Sequence, residues 1–305
     1  MTLAATQPVA EVRQQLSPRE PKKRNRVAAI TLSGAIGLLL IALLVVLALL
    51  GAWLEPFDPA KQQLSARLQE PVGFGGSWSH PLGTDQLGRD LLSRVIEGAR
   101  LSLAIGVFAT LATATIGVTL GLAAGYNGGR IDRAVVFLLD VALALPFIVI
   151  AIAVVAALGG GLRALMLTLI ATGWVGYARI LRLQARVLRR VEFVDAARAM
   201  GASRGHILRR HLLPNVAGTV IVLATQQVAG MMVYAAALSY LGLGLSSDRI
   251  TWGGMVANGQ ELLLVAWWPA LVPGIALVLT VIGFALAGDA LREHIERPLA
   301  RVTYR

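Results

Sequence analysis

The chain has 305 residues, 56% of them hydrophobic and only 15% charged, with a mean hydropathy of +0.68. Soluble globular domains carry about 25% charged residues, so this composition excludes an ordinary soluble domain and implies an integral membrane protein. Zero cysteines exclude structural disulfides, thiolate metal sites and cysteine nucleophiles, and a net charge of +11 acquires meaning only from where it sits.

Six apolar segments emerge in chain order, at residues 28–54, 101–126, 134–158, 164–180, 216–245 and 267–287. A spanning helix needs about 20 apolar residues, which predicts an all-α protein with six transmembrane helices. The first segment is far longer than the about 7–15 residues of a signal-peptide core, so it reads as a true span. The expected division is a basic tail (1–27), a first span (28–54), an external segment (55–100), a five-helix core (101–291) and a C-terminal tail (292–305).

Orientation follows from Lys and Arg asymmetry, since cytoplasmic flanks retain positive charge. Arg13, Arg19, Lys22, Lys23, Arg24 and Arg26 outweigh Glu11 and Glu20 before the first span. Between spans four and five, arginines 179, 182, 186, 189, 190, 198, 204, 209 and 210 outweigh Glu192 and Asp195. On the opposite side, residues 55–100 hold six acids against five bases. Both termini are therefore expected in the cytosol, and the basic charge reads as topology, with contact to anionic lipid, and not as a nucleic-acid surface.

In the external segment, Leu87, Leu91, Val95 and Ala99 share one helical face opposite Arg89, Asp90, Ser93, Arg94 and Glu97. That pattern predicts either an interfacial helix leading into span two or a small exposed helical cap. Gly117, Gly121 and Gly125 recur every fourth residue in span two and predict a close helix–helix contact. Pro146, Pro269 and Pro273 should kink or start helices.

The most distinctive stretch is the arginine-rich island at 192–215. Phe193, Ala196, Ala197 and Met200 fall at i, i+3, i+4 and i+7, one narrow apolar face of a short helix. Glu192 and Asp195 suit its N-terminal end and Arg198 its C-terminal end. Gly201 suits the position that ends a helix, Ser203 can cap a second helix over 204–213, and Pro214 ends that helix or hands it to span five. Helix, glycine elbow, helix is the expected form, within a cytoplasmic loop at 181–215.

Remaining candidates are sparser. Asp140 lies in span three, where intramembrane acids are functional candidates; it either lines a pathway or makes a structural hydrogen bond. Gln226, Gln227 and Met231 in span five either line a polar route or bond neighbouring helices. His80, His206, His211 and His294 show no metal-ligand spacing, and no catalytic constellation is expected. None of Lys22, Lys23 and Lys61 follows a glycine, so the chain carries no phosphate-binding P-loop.

The island resembles the coupling loop of ABC-transporter permease subunits, with Asp195-Ala196-Ala197, Gly201 and Leu213-Pro214 in the family register. Asp195 stands where the pattern has Glu, and His211 where it has Ile. His80-Pro-Leu-Gly-Thr-Asp85, Leu87-Gly-Arg-Asp-Leu91, Gly125-Tyr-Asn-Gly-Gly129 and Asp132, Asp140 with Leu145-Pro146, Leu241-Gly-Leu-Gly244, Trp252-Gly253 and Gly288-Asp289 are similar to the second permease of oligopeptide, dipeptide and nickel importers. Residues 246–251 depart from that family's proline-rich stretch. The resemblance implies a type I importer permease of a bacterial or archaeal cytoplasmic membrane. It would pair with a second homologous permease, two ATPase subunits that bind ATP and Mg, and an extracytoplasmic binding protein. It further implies that Glu192, Phe193, Asp195, Ala196, Ala197, Arg198, Met200, Gly201, Ala202, Ser203 and Pro214 receive the ATPase. Peptide is the expected cargo, with nickel, metal chelates or another small solute as alternatives, and a standalone secondary transporter as the reading from another class.

Overall fold

The computed structural model describes residues 32–245 and 249–296. The basic tail, residues 246–248 and most of the C-terminal tail lie outside the described residues. Among the described residues the architecture is helical: five long apolar helices, plus a bent pair that supplies the sixth span.

Helix α1 (Leu32–Leu54) buries one stripe, Gly34, Gly37, Leu44, Ala48 and Gly51, and exposes the apolar remainder as a lipid-facing surface would require. Helix α2 (Leu91–Asn127) is the central post of the molecule and touches most other spans. Its 37 residues cover both the expected span and the stretch assigned to an interfacial helix. There is thus no separate surface helix at 87–99, because Asp90 caps α2 directly by accepting from Ser93 N at 2.8 Å.

The polar face predicted for that stretch is buried. Asp90, Ser93 and Arg94 are each at most 4% exposed. Residues 55–90 fold back over the start of α2, so its polar side chains find partners inside a compact cap. Asp85 accepts from Arg89 Nε at 2.6 Å, Arg94 Nε lies 3.6 Å from the same carboxylate, and His80 Nδ1 sits 3.0 Å from Asp90. Gly88 makes the fold-back possible: at φ +72°, any Cβ there would collide with the Gln63 carbonyl. Trp268 Nε1 donates to the Thr84 carbonyl and Trp252 Nε1 to the Val95 carbonyl, fastening the cap to the C-terminal half.

Gly117, Gly121 and Gly125 form the predicted contact face, and its partner is α5 (Leu162–Leu188). A Cβ at these positions would lie 2.5 Å from Trp174 O, 2.7 Å from Ala178 O and 2.3 Å from Arg182 O respectively. Only hydrogen fits there, so the backbones touch directly. Helix α5 runs eight residues past the expected end of span four, which places residues 181–188 in a helix and not in the loop.

The third span is two helices, α3 (Gly129–Ala144) and α4 (Phe147–Leu158), bent by 91° at Leu145–Pro146. The kink expected at Pro146 is a full break: proline lacks the N–H that would bond Ala142, and its ring crowds that carbonyl. Beyond α5 come α6 (Glu192–Ala199), a helical turn at Arg204–Ile207, a π-turn at Leu208–Leu212 and α7 (Leu213–Tyr240). A short α8 (Trp252–Gly259), capped by Thr251, returns between α7 and α9 (Trp268–Glu296). Pro269 lies in the first turn of α9 and Pro273 sits inside it. Leu44, Leu91, Met232, Trp252, Trp268 and Phe284 meet in the largest core cluster, drawing on α1, α2, α7, α8 and α9.

Candidate functional site

The elbow after α5 has the form that the sequence dictates. Glu192 and Asp195 lie in the first turn of α6 and Arg198 in its last. Gly201, at φ +81°, ends the helix with the paired bonds of a Schellman motif. Gly201 N donates to Arg198 O at 2.9 Å and Ala202 N to Ala197 O at 3.0 Å. Ser203 then caps the next turn by accepting from His206 N.

Pro214 does not end the second helix. The chain passes it through the π-turn at Leu208–Leu212 and continues as one helix, Arg204–Tyr240. A wider turn absorbs the missing proline N–H without breaking the axis. The elbow is therefore continuous with span five.

The apolar face of α6 divides differently from the expectation. Val194 and Ala197 are buried, at 0% and 2% exposure, against Leu122, Tyr126, Leu181, Ile207 and Leu212 of the same chain. Ala197 therefore seats α6 on its own protein and does not face outward. Phe193, Ala196 and Met200 remain on the outer side, with Met200 82% exposed. The hydrophobic period gives a face but not its occupant, and Val194, one residue from Phe193, turns the inner contact. Phe193 also lies 6.2 Å, ring to ring, from His211, which stands against the next helix of the elbow.

One network fixes the elbow to the bundle, and a second joins two of the bundle's own helices. Arg198 donates to Asp195 Oδ1 at 2.9 Å and to the Tyr126 hydroxyl at 3.4 Å, with its guanidinium 5.3 Å from that ring. The Tyr126 hydrogen bond, aided by the Asp195 carboxylate, raises Arg198 further above its ordinary value. Deeper, Asp132 on α3 accepts from Arg182 Nε at 2.5 Å and from Nη2 at 3.1 Å, and also from Arg186. Sequence reasoning gave Asp132 no role of its own. The available signal was Arg182 and Arg186 four apart on one helix, facing an acid in another.

The scattered span candidates separate. Gln227 bonds neighbouring helices: its amide donates to Thr113 Oγ1 at 3.1 Å and to Gly173 O at 3.0 Å, joining α7, α2 and α5. Met231 is buried against Gly173. Gln226 is exposed, and with Gln227 and Met231 it borders a cleft of about 460 Å³ beside the α3–α4 break. Asp140 is exposed on α3 and does not border that cleft. Among the described residues no group of acids and histidines is arranged to hold a metal ion.

Residues 117–301 match the family described as binding-protein-dependent transport system inner membrane component, and residues 23–71 match the N-terminal TM domain of oligopeptide transport permease C. The chain is 37% identical over 257 residues to a probable D,D-dipeptide transport system permease of Escherichia coli (strain K12), covering 84% of this chain and 85% of that one. It is 36% identical to a dipeptide transport system permease of Bacillus subtilis (strain 168), covering 92% and 84%. The nickel transport system permease of Escherichia coli (strain K12) is similar at 35% identity, covering 86% and 92%. In three dimensions the chain superposes on an inward-facing methionine ABC transporter with a TM-score of 0.53, covering 66% of this chain and 96% of that one at 21% identity, which supports the fold alone. Matched over more than half its length by that family model and more than 30% identical to relatives it covers almost entirely, the chain belongs to the family of binding-protein-dependent transport permeases.

Proposed function

We propose that this permease forms half of the translocation pathway of an ATP-driven importer of di- and oligopeptides. Two separate ATPase subunits bind ATP and Mg and press on the elbow. A second, homologous permease completes the pathway, and an extracytoplasmic binding protein delivers cargo to the side of the 55–90 cap. Both termini and the elbow lie in the cytosol, in keeping with the arginine excess around α6.

The observation that carries this reading is the division of α6. Its inner residues, Val194 and Ala197, are seated in the chain's own core, whereas Phe193, Ala196 and Met200 form an outward apolar strip that stays exposed among the described residues, Met200 most of all. A short helix held firmly on one side and apolar on the other suits a groove in a neighbouring subunit. Its direct continuation into span five supplies a route from ATPase closure to the pathway. Peptide is the preferred cargo because two of the relatives compared are dipeptide permeases.

The test is reconstitution with the second permease, the ATPases and the binding protein. Met200→Ser should leave insertion and thermal stability unchanged, since that side chain is 82% exposed. Peptide-stimulated ATP hydrolysis and uptake should fall at least about tenfold, the loss of a central apolar contact. Full retention of stimulated hydrolysis and uptake would remove α6 as the contact. Ala197→Arg is not an equivalent probe, because it would unseat α6 from its own core.

A further inference from the structure

The cleft beside the broken span has a chemistry of its own. Its wall is formed by Ala142, Leu145 and Phe147 around the break, Thr172 on α5, and Gln226 and Tyr234 on α7. No carboxylate, imidazole, ammonium or guanidinium borders it among the described residues. Irregular backbone at membrane depth is tolerated only where protein buries it or where it lines a water-filled cavity. Here the break stands on a cavity wall.

Three sets of polar groups are open at this place. Pro146 carries no N–H, so the Ala142 carbonyl has lost its helical donor. The last carbonyls of α3 lack helical donors beyond the break, and the Phe147 and Ile148 amides of α4 lack helical acceptors, whereas Val149 N and Ile150 N donate to the Pro146 carbonyl. The Gln226 amide, unlike that of Gln227, makes no hydrogen bond among the described residues, and neither does the Tyr234 hydroxyl, whose side chain is half exposed. Phe147, the first residue of α4, lies 4.8 Å from the Tyr234 ring, so the break and α7 are in contact.

We propose that the break at Leu145–Pro146, Gln226 and Tyr234 form an uncharged subsite that holds the backbone amide of a peptide in transit. This rests on the peptide-import reading above and specifies its chemistry. Carbonyl acceptors and amide donors side by side complement a peptide bond, which carries one of each. Uncharged walls do not sort cargo by side-chain charge. A divalent transition metal, by contrast, seeks imidazole, carboxylate or thiolate ligands, and finds none here.

The cysteine-free chain allows a direct test. Gln226→Cys is prepared in the assembled transporter with its binding protein, in detergent, and exposed to a charged methanethiosulfonate reagent, with modification read from the mass of this chain. Modification is expected, and dialanine should slow it about tenfold, whereas Ni²⁺ should not. Lack of modification, lack of protection by dialanine, or equal protection by Ni²⁺ overturns the subsite. In proteoliposomes Gln226→Leu, at an exposed position, should lower dialanine uptake about tenfold while the protein folds normally. A peptide importer indifferent to Gln226→Leu overturns the subsite alone. A transporter that imports nickel and no peptide overturns the import reading on which it rests.

Discussion

The seam between α2 and α5 and the cleft between α3–α4 and α7 share helix α5, yet they are built in opposite ways. At the seam, three glycines remove every side chain and backbone meets backbone. At the cleft, a proline breaks a span, α4 buries only Ala151, and about 460 Å³ stays open. Close contact packs α2 and α5 tightly together, while the broken span leaves a wall with few buried side chains behind it. Tight and open packing are thus separated by residue choice: glycine where helices must touch, proline where they must part.

The contrast can be broken first at the seam. Gly121→Leu places a side chain where even a Cβ lies 2.7 Å from Ala178 O, and should destabilise the protein by about 3 kcal/mol or more. Denaturant unfolding in detergent measures this, and a near-neutral result would show that the seam is not tight. Asp132 joins the two regions by tying α3 to α5. Asp132→Asn leaves Arg182 and Arg186 without their counter-charge, at about 2–3 kcal/mol, below the range for a fully buried pair because the Arg186 side chain is 45% exposed. In an Arg182→Gln background the same change should matter less, and additive losses would deny the coupling. The smallest change in stability, within about 1 kcal/mol, is expected from Pro146→Ala, since it restores a donor without filling the cleft. Spin labels at exposed Phe137 and Ile152 should then report a straighter α3–α4 pair. An unaltered separation would show that neighbouring helices, not the proline, set the bend.

How much of this was legible in the sequence varies with the range of the forces involved. Gly201, Ser203 and Pro214 act on the backbone within a few residues, so the elbow could be read from them in register. The glycine triplet announced a contact but not its partner. Arg94 and Asp90 looked solvent-facing because the residues that cover and pair them, from His80 to Asp85, return from elsewhere in the chain. Ala197 looked outward for the same reason: its cover comes from α2, α5 and the turn before α7. The arginines of residues 179–190 suggested a loop, although arginine is a good helix former and α5 carries it past the apolar core. Gln226 and Gln227 were indistinguishable as letters, and only the positions of Thr113 and Gly173 separate a strut from a free amide.

The unbroken run from Arg204 to Tyr240 has a geometric corollary. At 1.5 Å per residue its 37 residues form a rod about 55 Å long. Pivoting such a rod by about 5° displaces its far tip by about 5 Å, roughly one helical pitch. A nudge too small to disturb any internal ladder at the near end would thus suffice to uncover or occlude an aperture of molecular width at the other.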